Sequence, residues 1–174
     1  MPLTLRLVDI PIGPSIAYVP LTHGQWAIID REDAPLAGKY NWCAWWDYRR
    51  KVYYAIRTLN GQRPCVMRMH RLIAGIVDNP DACADHKNLN TLDNRRANLR
   101  LATKDQNAAN RRKPAHNTSG YKGVSWHKHR KKWQAYIGVR GGLKSLGYFD
   151  SAELAYAAYC AAAPDIHGEF ARLA

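Results

Sequence analysis

Short bursts of alternating and clustered apolar residues dominate the first third of the chain. WAIID (Trp26–Asp30), NWCAWWDYRR and KVYYAIRTLN are rich in aromatic and β-branched residues, the composition of paired strands. The pattern predicts short strands and one helical turn over residues 16–60, the turn falling in DREDAPLAGKY with Asp30 as its cap. Asn60-Gly61 predicts a hairpin turn into RPCVMRM. Trp42, Trp45, Trp46, Tyr53 and Tyr54 read as packing on such a sheet rather than as a platform for stacked bases.

The period then changes. MHRLIAGIV reads as a short apolar helix or a strand–helix junction, and RLAT as a brief strand. Thr103 with Gln106 three residues later is a capping-box signature, so a helix is expected through KDQNAANRRK, stopping before Pro114. RRKPAHNTS (residues 111–119) is basic and turn-prone and reads as a linker. Beyond it, three short strands and one helix are expected. The helix, SAELAYAAYCAAA, is capped by Asp150 and Glu153 and ends at Pro164, with its Ala and Tyr face on the sheet. Alternation sends Val124, Trp126, Trp133, Ala135, Ile137 and Val139 toward the helix. The opposite face carries Gly123, Ser125, His127, Gln134, Tyr136, Gly138 and Arg140, which are polar or lack bulk.

Charge sharpens this division. The chain of 174 residues has a formal net charge of +12. Between Arg95 and Phe149 there are 14 Lys or Arg and one carboxylate, Asp105; the remainder holds 12 basic and 13 acidic residues. A basic field concentrated in one region is the footprint of a polyanion partner; interleaving with Trp, Tyr, His and Asn fits nucleic acid better than a merely soluble basic surface, with an anionic membrane the other polyanion left open. Cys43, Cys65, Cys83 and Cys160 are widely spaced without a CxxC pair, so they read as reduced, mostly buried thiols rather than a structural zinc site. The prolines in MPLTLRLVDIPIG break any signal-peptide core, and there is no run of 18 apolar residues. These features point to an intracellular protein that is neither secreted nor membrane-spanning.

Candidate chemistry concentrates in CADHKNLNTLDNRRANLRLATKDQN, Cys83 to Asn107. Phosphodiester hydrolysis needs a base for the attacking water and help for charge on the phosphate. A neutral His supplies the first, and a hard cation held by carboxylate and amide oxygens supplies the second. Asp85 and His86 are adjacent, and Asn107 falls in the capped helix. ADHKNLNTLDNRRANLRLATKDQNAANRR, preceded by MHRLIAG, resembles the HNH endonucleases, specifically their phage and intron homing-type branch. That resemblance implies a ββα-metal core in which two strands and a helix pinch one divalent cation, Mg2+ or Mn2+. It assigns His86 as general base, Asp85 and Asn107 as metal ligands, and Asn98 as the residue that holds the loop and so His86. With Asn107 in the last position, this is an H-N-N variant. It implies products with 5′-phosphate and 3′-hydroxyl ends. Leu89 stands where the family often has glycine in the turn after the first His; Asn88, Asn90 and Asn94 read as turn formers.

His70 occupies the family's HR position as a possible auxiliary group, and Arg71, Arg95, Arg96 and Arg100 are candidate phosphate contacts. The last part of the chain, with YKGV, KKWQAYI, LGYFDSAELAYAAY and HGEFARL, resembles the APETALA2-type DNA-binding domain of plant ethylene-response factors. This implies a three-stranded sheet that enters the major groove. The base-reading arginines and tryptophan of the plant pattern are replaced here by Ser125, His127, Gly138, Leu143 and Ser145, so the plant target does not carry over. Lys122, Lys128, Arg130, Lys131 and Lys132 are the expected phosphate contacts, with Ser125, His127, Gln134, Tyr136 and Arg140 on the groove side.

The expected fold class is α+β: a β-rich extension over residues 1–64, the nuclease core over 65–113, a linker over 114–119 and the second module over 120–174. The expected function is metal-dependent cleavage of double-stranded DNA by a monomer, nicking being the simplest outcome of one centre. The competing expectation is a DNA-binding regulator with a degenerate nuclease domain.

Overall fold

In the computed structural model, residues 15–58, 66–114 and 117–173 are described. The stretch 1–14, the Asn60-Gly61 turn, Cys65, and Ala115 and His116 of the expected linker lie outside them. The fold is α+β, and it divides into two compact units between Ala102 and Thr103.

In the first unit, β1 (Ile16–Pro20) pairs antiparallel with β2 (Trp26–Asp30). A four-residue helix, α1 (Ala34–Ala37), follows. Asp30 stands before this turn without capping it; its carboxylate instead accepts from the Arg96 backbone N–H at 2.7 Å. β3 (Cys43–Asp47), β4 (Val52–Thr58) and β5 (Val66–Arg68) form an antiparallel sheet with β4 central. The aromatics expected to pack there do so across strands: Trp46 lies 4.8 Å from Tyr53, and Trp45 6.4 Å from Tyr54. α2 (Met69–Ile73) leaves β5 directly. β6 (Cys83–His86) and β7 (Leu99–Ala102) then make a two-stranded hairpin. Val19, Ala27, Ile29, Trp42, Ala55, Met69, Ile73 and Leu99 share one core, so strands, helix and hairpin fold as a single body.

The second unit opens with α3 (Lys104–Ala109). Thr103 and Gln106 form the expected capping box, but the helix ends at Asn110 rather than reaching Pro114. β8 (Val124–His127), β9 (Lys132–Val139) and β10 (Gly142–Phe149) make an antiparallel sheet in the order β10-β9-β8. α4 (Ala152–His167) packs on one face, where Val124, Ala135 and Ile137 meet Ala155, Tyr159 and Ala163. Two helix limits differ from expectation. Ser151 is the N-cap, accepting from the Leu154 N–H at 3.2 Å, because the helix begins at Ala152; Asp150, one residue earlier, pairs with Lys132. Pro164 lies inside the helix: its fixed φ suits a helix, and losing one N–H donor does not outweigh packing of Tyr159 and Ala163 on the sheet.

Gly123 also corrects an expectation. It has φ +72, which turns its missing side-chain position toward α4, where an added Cβ would lie 2.3 Å from the Tyr159 ring. It serves packing, whereas Gly138 faces open space on the other side. Trp126 shares the helix-facing parity but remains 45% exposed, edge-on to its cross-strand partner Trp133. Cys43, Cys83 and Cys160 are free thiols, as expected, but only half-buried.

Candidate active site in the β6–β7 hairpin

β6 and β7 are held in register with Asp85 opposite Arg100 and His86 opposite Leu99. Adjacent positions on a strand point to opposite sides, and both Asp85 and His86 are nonetheless buried. The Arg100 guanidinium donates to Asp85 Oδ2 through Nε at 3.0 Å and Nη2 at 2.9 Å. A buried carboxylate needs such a partner, and this one fixes the carboxylate's orientation. Arg100 is therefore part of the scaffold of the centre.

His86 Nε2 lies 3.2 Å from Asn94 Oδ1. The amide of Asn94 is itself oriented: its Nδ2 donates to the Leu92 carbonyl at 3.2 Å and approaches the Met69 sulfur at 3.6 Å. Its oxygen can only accept, so Nε2 carries the imidazole proton and Nδ1 keeps the lone pair. Burial lowers the His86 pKa below its ordinary value, opposed in part by the Asn94 hydrogen bond and the Asp85 charge. The result is a neutral imidazole at neutral pH. Asn94 thus orients His86 and does more than form a turn. Sequence alone could not separate it from neighbouring asparagines; its burial (1% exposed) does so.

Asn98 works on the loop. Its Oδ1 accepts from the Asn88 backbone N–H at 3.0 Å, and its Nδ2 donates to the Asp93 carbonyl at 2.7 Å. Leu89, between these contacts, takes φ +63, and its N–H donates to the His86 carbonyl at 3.0 Å. The turn therefore adopts the left-handed conformation that glycine would favour, with a leucine in place. The loop is pinned outside the hairpin as well: the Ile28 N–H donates to Leu92 at 2.8 Å, Asn94 donates back to Ile28 at 2.7 Å, and the Thr91 hydroxyl donates to the Tyr53 carbonyl.

The motif arginines are occupied. Arg95 forks onto Asp93 at 2.8 Å through both Nε and Nη2. Arg96 does the same to Asp33 at 3.0 and 2.6 Å. Arg71 donates to the carbonyls of Ala82, Ile76 and Asn79. Asp30, Glu32 and Asp33 have oxygens close enough to share a cation, but Arg96 already sits among them. His70 is 6% exposed, with its ring 5.1 Å from that of His86 and 5.8 Å from that of Tyr54. Burial pushes its pKa well below the usual value, with His86, Arg68, Arg71 and Arg50 adding to the effect.

Asn107 lies half-buried on α3, in the second unit. In that unit Lys122 also differs from a solvated phosphate contact. Its ammonium donates to the carbonyls of Ala109 and Arg172, and burial lowers its pKa to about 8. Lys132 pairs with Asp150. Lys128, Arg130 and Arg140 are exposed, with the Arg130 guanidinium 4.6 Å from the Tyr148 ring centre. Ser125, Gln134 and Ser145 line the face away from α4, where the Gln134 amide reaches the Ser145 hydroxyl at 3.4 Å. Tyr136 shares that face, and His127 packs edge-on against Tyr148 at 5.1 Å.

Residues 80–109, spanning the hairpin and α3, match the HNH endonuclease family. The chain carries an HNH endonuclease domain. It is 36% identical over 88 residues to protein 3.8 of Escherichia phage T7, a match covering 51% of this chain and 72% of the phage protein, and it belongs to the same family. It is 28% identical over 170 residues to a protein named as an uncharacterized HNH endonuclease of Acanthamoeba polyphaga mimivirus, covering 94% of this chain and 83% of that one. No solved structure matches. The HNH match and the name of the mimivirus relative support a nuclease, and an HNH nuclease domain implies a nucleic-acid substrate. No described helix is long and apolar enough to cross a membrane.

Proposed function

We propose that this protein is a divalent-metal-dependent DNA endonuclease whose second unit grips DNA. The observation that carries this reading is His86: a buried, neutral imidazole fixed in one tautomer by Asn94, beside an oriented carboxylate. Its Nδ1 lone pair takes the proton of the attacking water, and the hydroxide displaces the 3′-oxygen, leaving 5′-phosphate and 3′-hydroxyl ends. Asn94 holds the Nε2 proton, so the ring becomes a cation only while the reaction proceeds. Asn98 keeps the loop closed and His86 in place.

By the family resemblance Asp85 and Asn107 would hold the ion; a carboxylate and an amide oxygen are each hard donors of the kind Mg2+ or Mn2+ takes. When bound there, the ion would supply charge stabilisation for the phosphate and the leaving oxygen. In the second unit, the outer face of β8–β10 would enter the major groove, as the sequence resemblance to APETALA2-type domains implies. Ser125, Gln134, Tyr136 and Ser145 then face base edges, while Lys128, Arg130 and Arg140 neutralise phosphates. Half-buried, uncharged Ser125, Gln134 and Tyr136 at the centre of that face, with exposed Lys128, Arg130 and Arg140 beyond them, support this reading.

Supercoiled plasmid incubated with the protein tests the chemistry. The expected result is nicking with Mg2+ or Mn2+, none with EDTA, and a loss of about 10²- to 10⁴-fold on His86→Ala with DNA binding retained. Equal nicking by wild type and His86→Ala would overturn the reading.

A further inference from the structure

The arginines of the HNH motif leave a question open. Arg95, Arg96 and Arg100 are all forked or ion-paired to carboxylates, and Arg71 is spent on three carbonyls. A nuclease centre still needs a cation for the substrate backbone.

Arg68 meets the requirement. It ends β5, it is exposed, and it has no carboxylate partner among the described residues. Its guanidinium lies 5.3 Å from the centre of the Tyr54 ring. Tyr54 is itself fixed: it is 4% exposed, and its hydroxyl accepts from Arg50 at 2.7 Å. A continuous series of rings then leads inward, from Tyr54 to His70 at 5.8 Å and from His70 to His86 at 5.1 Å. The second observation is spatial. Arg68 borders a cleft of about 710 Å³ whose walls include Thr22, Trp45, Ile56 and Arg71. That volume lies within the usual range for binding clefts.

We propose that Arg68 is a substrate-phosphate ligand of the nuclease centre, holding the DNA backbone on the His70 side of His86. The Tyr54 ring lies beneath the guanidinium at 5.3 Å, and an arginine's N–H fork can hold two phosphate oxygens at once, which a lysine cannot. The proposal rests on the nuclease reading, but it makes a separate prediction about binding.

The test uses the full chain as wild type, Arg68→Ala and Arg68→Lys, with a fluorescent duplex whose anisotropy is titrated in EDTA over a salt series. Losing one phosphate contact should reduce the slope of log K against log salt by about 0.9. Arg68→Lys should restore the slope. Single-turnover nicking of plasmid with Mg2+ should fall at least tenfold in Arg68→Ala and recover only partly in Arg68→Lys. Because Arg68 is exposed, both variants should melt as wild type does. An unchanged salt slope in Arg68→Ala overturns the proposal. A reduced slope in Arg68→Ala, alongside a wild type that never nicks plasmid, would support the phosphate contact while overturning the nuclease reading.

Discussion

The β6–β7 hairpin and the outer face of the β8–β10 sheet are both rich in polar residues and use them in opposite ways. In the hairpin, Asp85, His86, Asp93, Asn94 and Asn98 are all buried, and each has a hydrogen-bond partner. On the sheet, Lys128, Arg130, Arg140 and Lys144 are exposed around Gln134, Tyr136 and Ser145. Burial makes polar groups expensive unless paired, so the hairpin's residues lock one another into a single geometry. Exposed groups stay hydrated and adaptable, which suits a surface that meets a partner.

The largest expected effect lies beneath the sheet. Gly123→Ala would put a methyl group 2.3 Å from the Tyr159 ring at φ +72. Destabilisation by about 3 kcal/mol is expected, read by chemical denaturation. Wild-type stability would show that α4 retreats easily and that the open face is not rigidly backed.

Next comes the hairpin network. Asn98→Ala removes the acceptor for the Asn88 N–H and the donor to Asp93. It should cost about 2 kcal/mol and reduce nicking, while duplex binding to the sheet persists. If binding fell in parallel, the two regions would not be separable in the way their burial suggests.

The third prediction concerns pH. Burial lowers the pKa of both His86 and His70 below 6.5. Nicking should be level at neutral pH and fall about tenfold per pH unit once acid titrates His86, with a midpoint below 6.5. Stability has the same sign. Both groups are held neutral in the fold, so their contribution is complete above the unfolded value near 6.5 and is lost as pH falls through the lowered pKa values. Melting curves at pH 7.5 and pH 5 check this, and a nicking midpoint above 6.5 would contradict the buried, neutral base.

The smallest effect is a gain. Leu89 pays the left-handed penalty at φ +63, so Leu89→Gly should stabilise the hairpin by about 1 kcal/mol or less, the glycine's extra unfolded-state entropy offsetting part of the relief. A loss of stability would show that the half-buried leucine side chain contributes more than its backbone costs.

Much of this was legible in the chain. Thr103 and Gln106 announce the start of α3, because a capping box is a local arrangement that needs only its own four residues. Alternation correctly sends Ala135 and Ile137 to the helix side of the second sheet, because strand parity is set by backbone geometry. The resemblance singled out Asp85, His86 and Asn98, and the structure buries all three in the hairpin and its loop. Its partners were not legible. Arg96 meets Asp33 across 63 positions and Asn94 meets Met69 across 25, and no local rule relates residues so far apart. Ser151 rather than Asp150 caps α4, because the helix begins one residue later than the pattern suggested.

By itself, then, the sequence determined the α+β composition, the helix-facing parity of Val124, Ala135 and Ile137, the α3 cap, and an HNH motif with a candidate base and metal donors. Tertiary structure decided which polar groups are spent. It buried Asn94 against His86, consumed the motif arginines in ion pairs, drew Lys122 inward, and left Arg68 exposed on Tyr54. The reason is physical: residue type fixes what a side chain can bond, but only the packed chain fixes what lies within reach and how much water remains to compete.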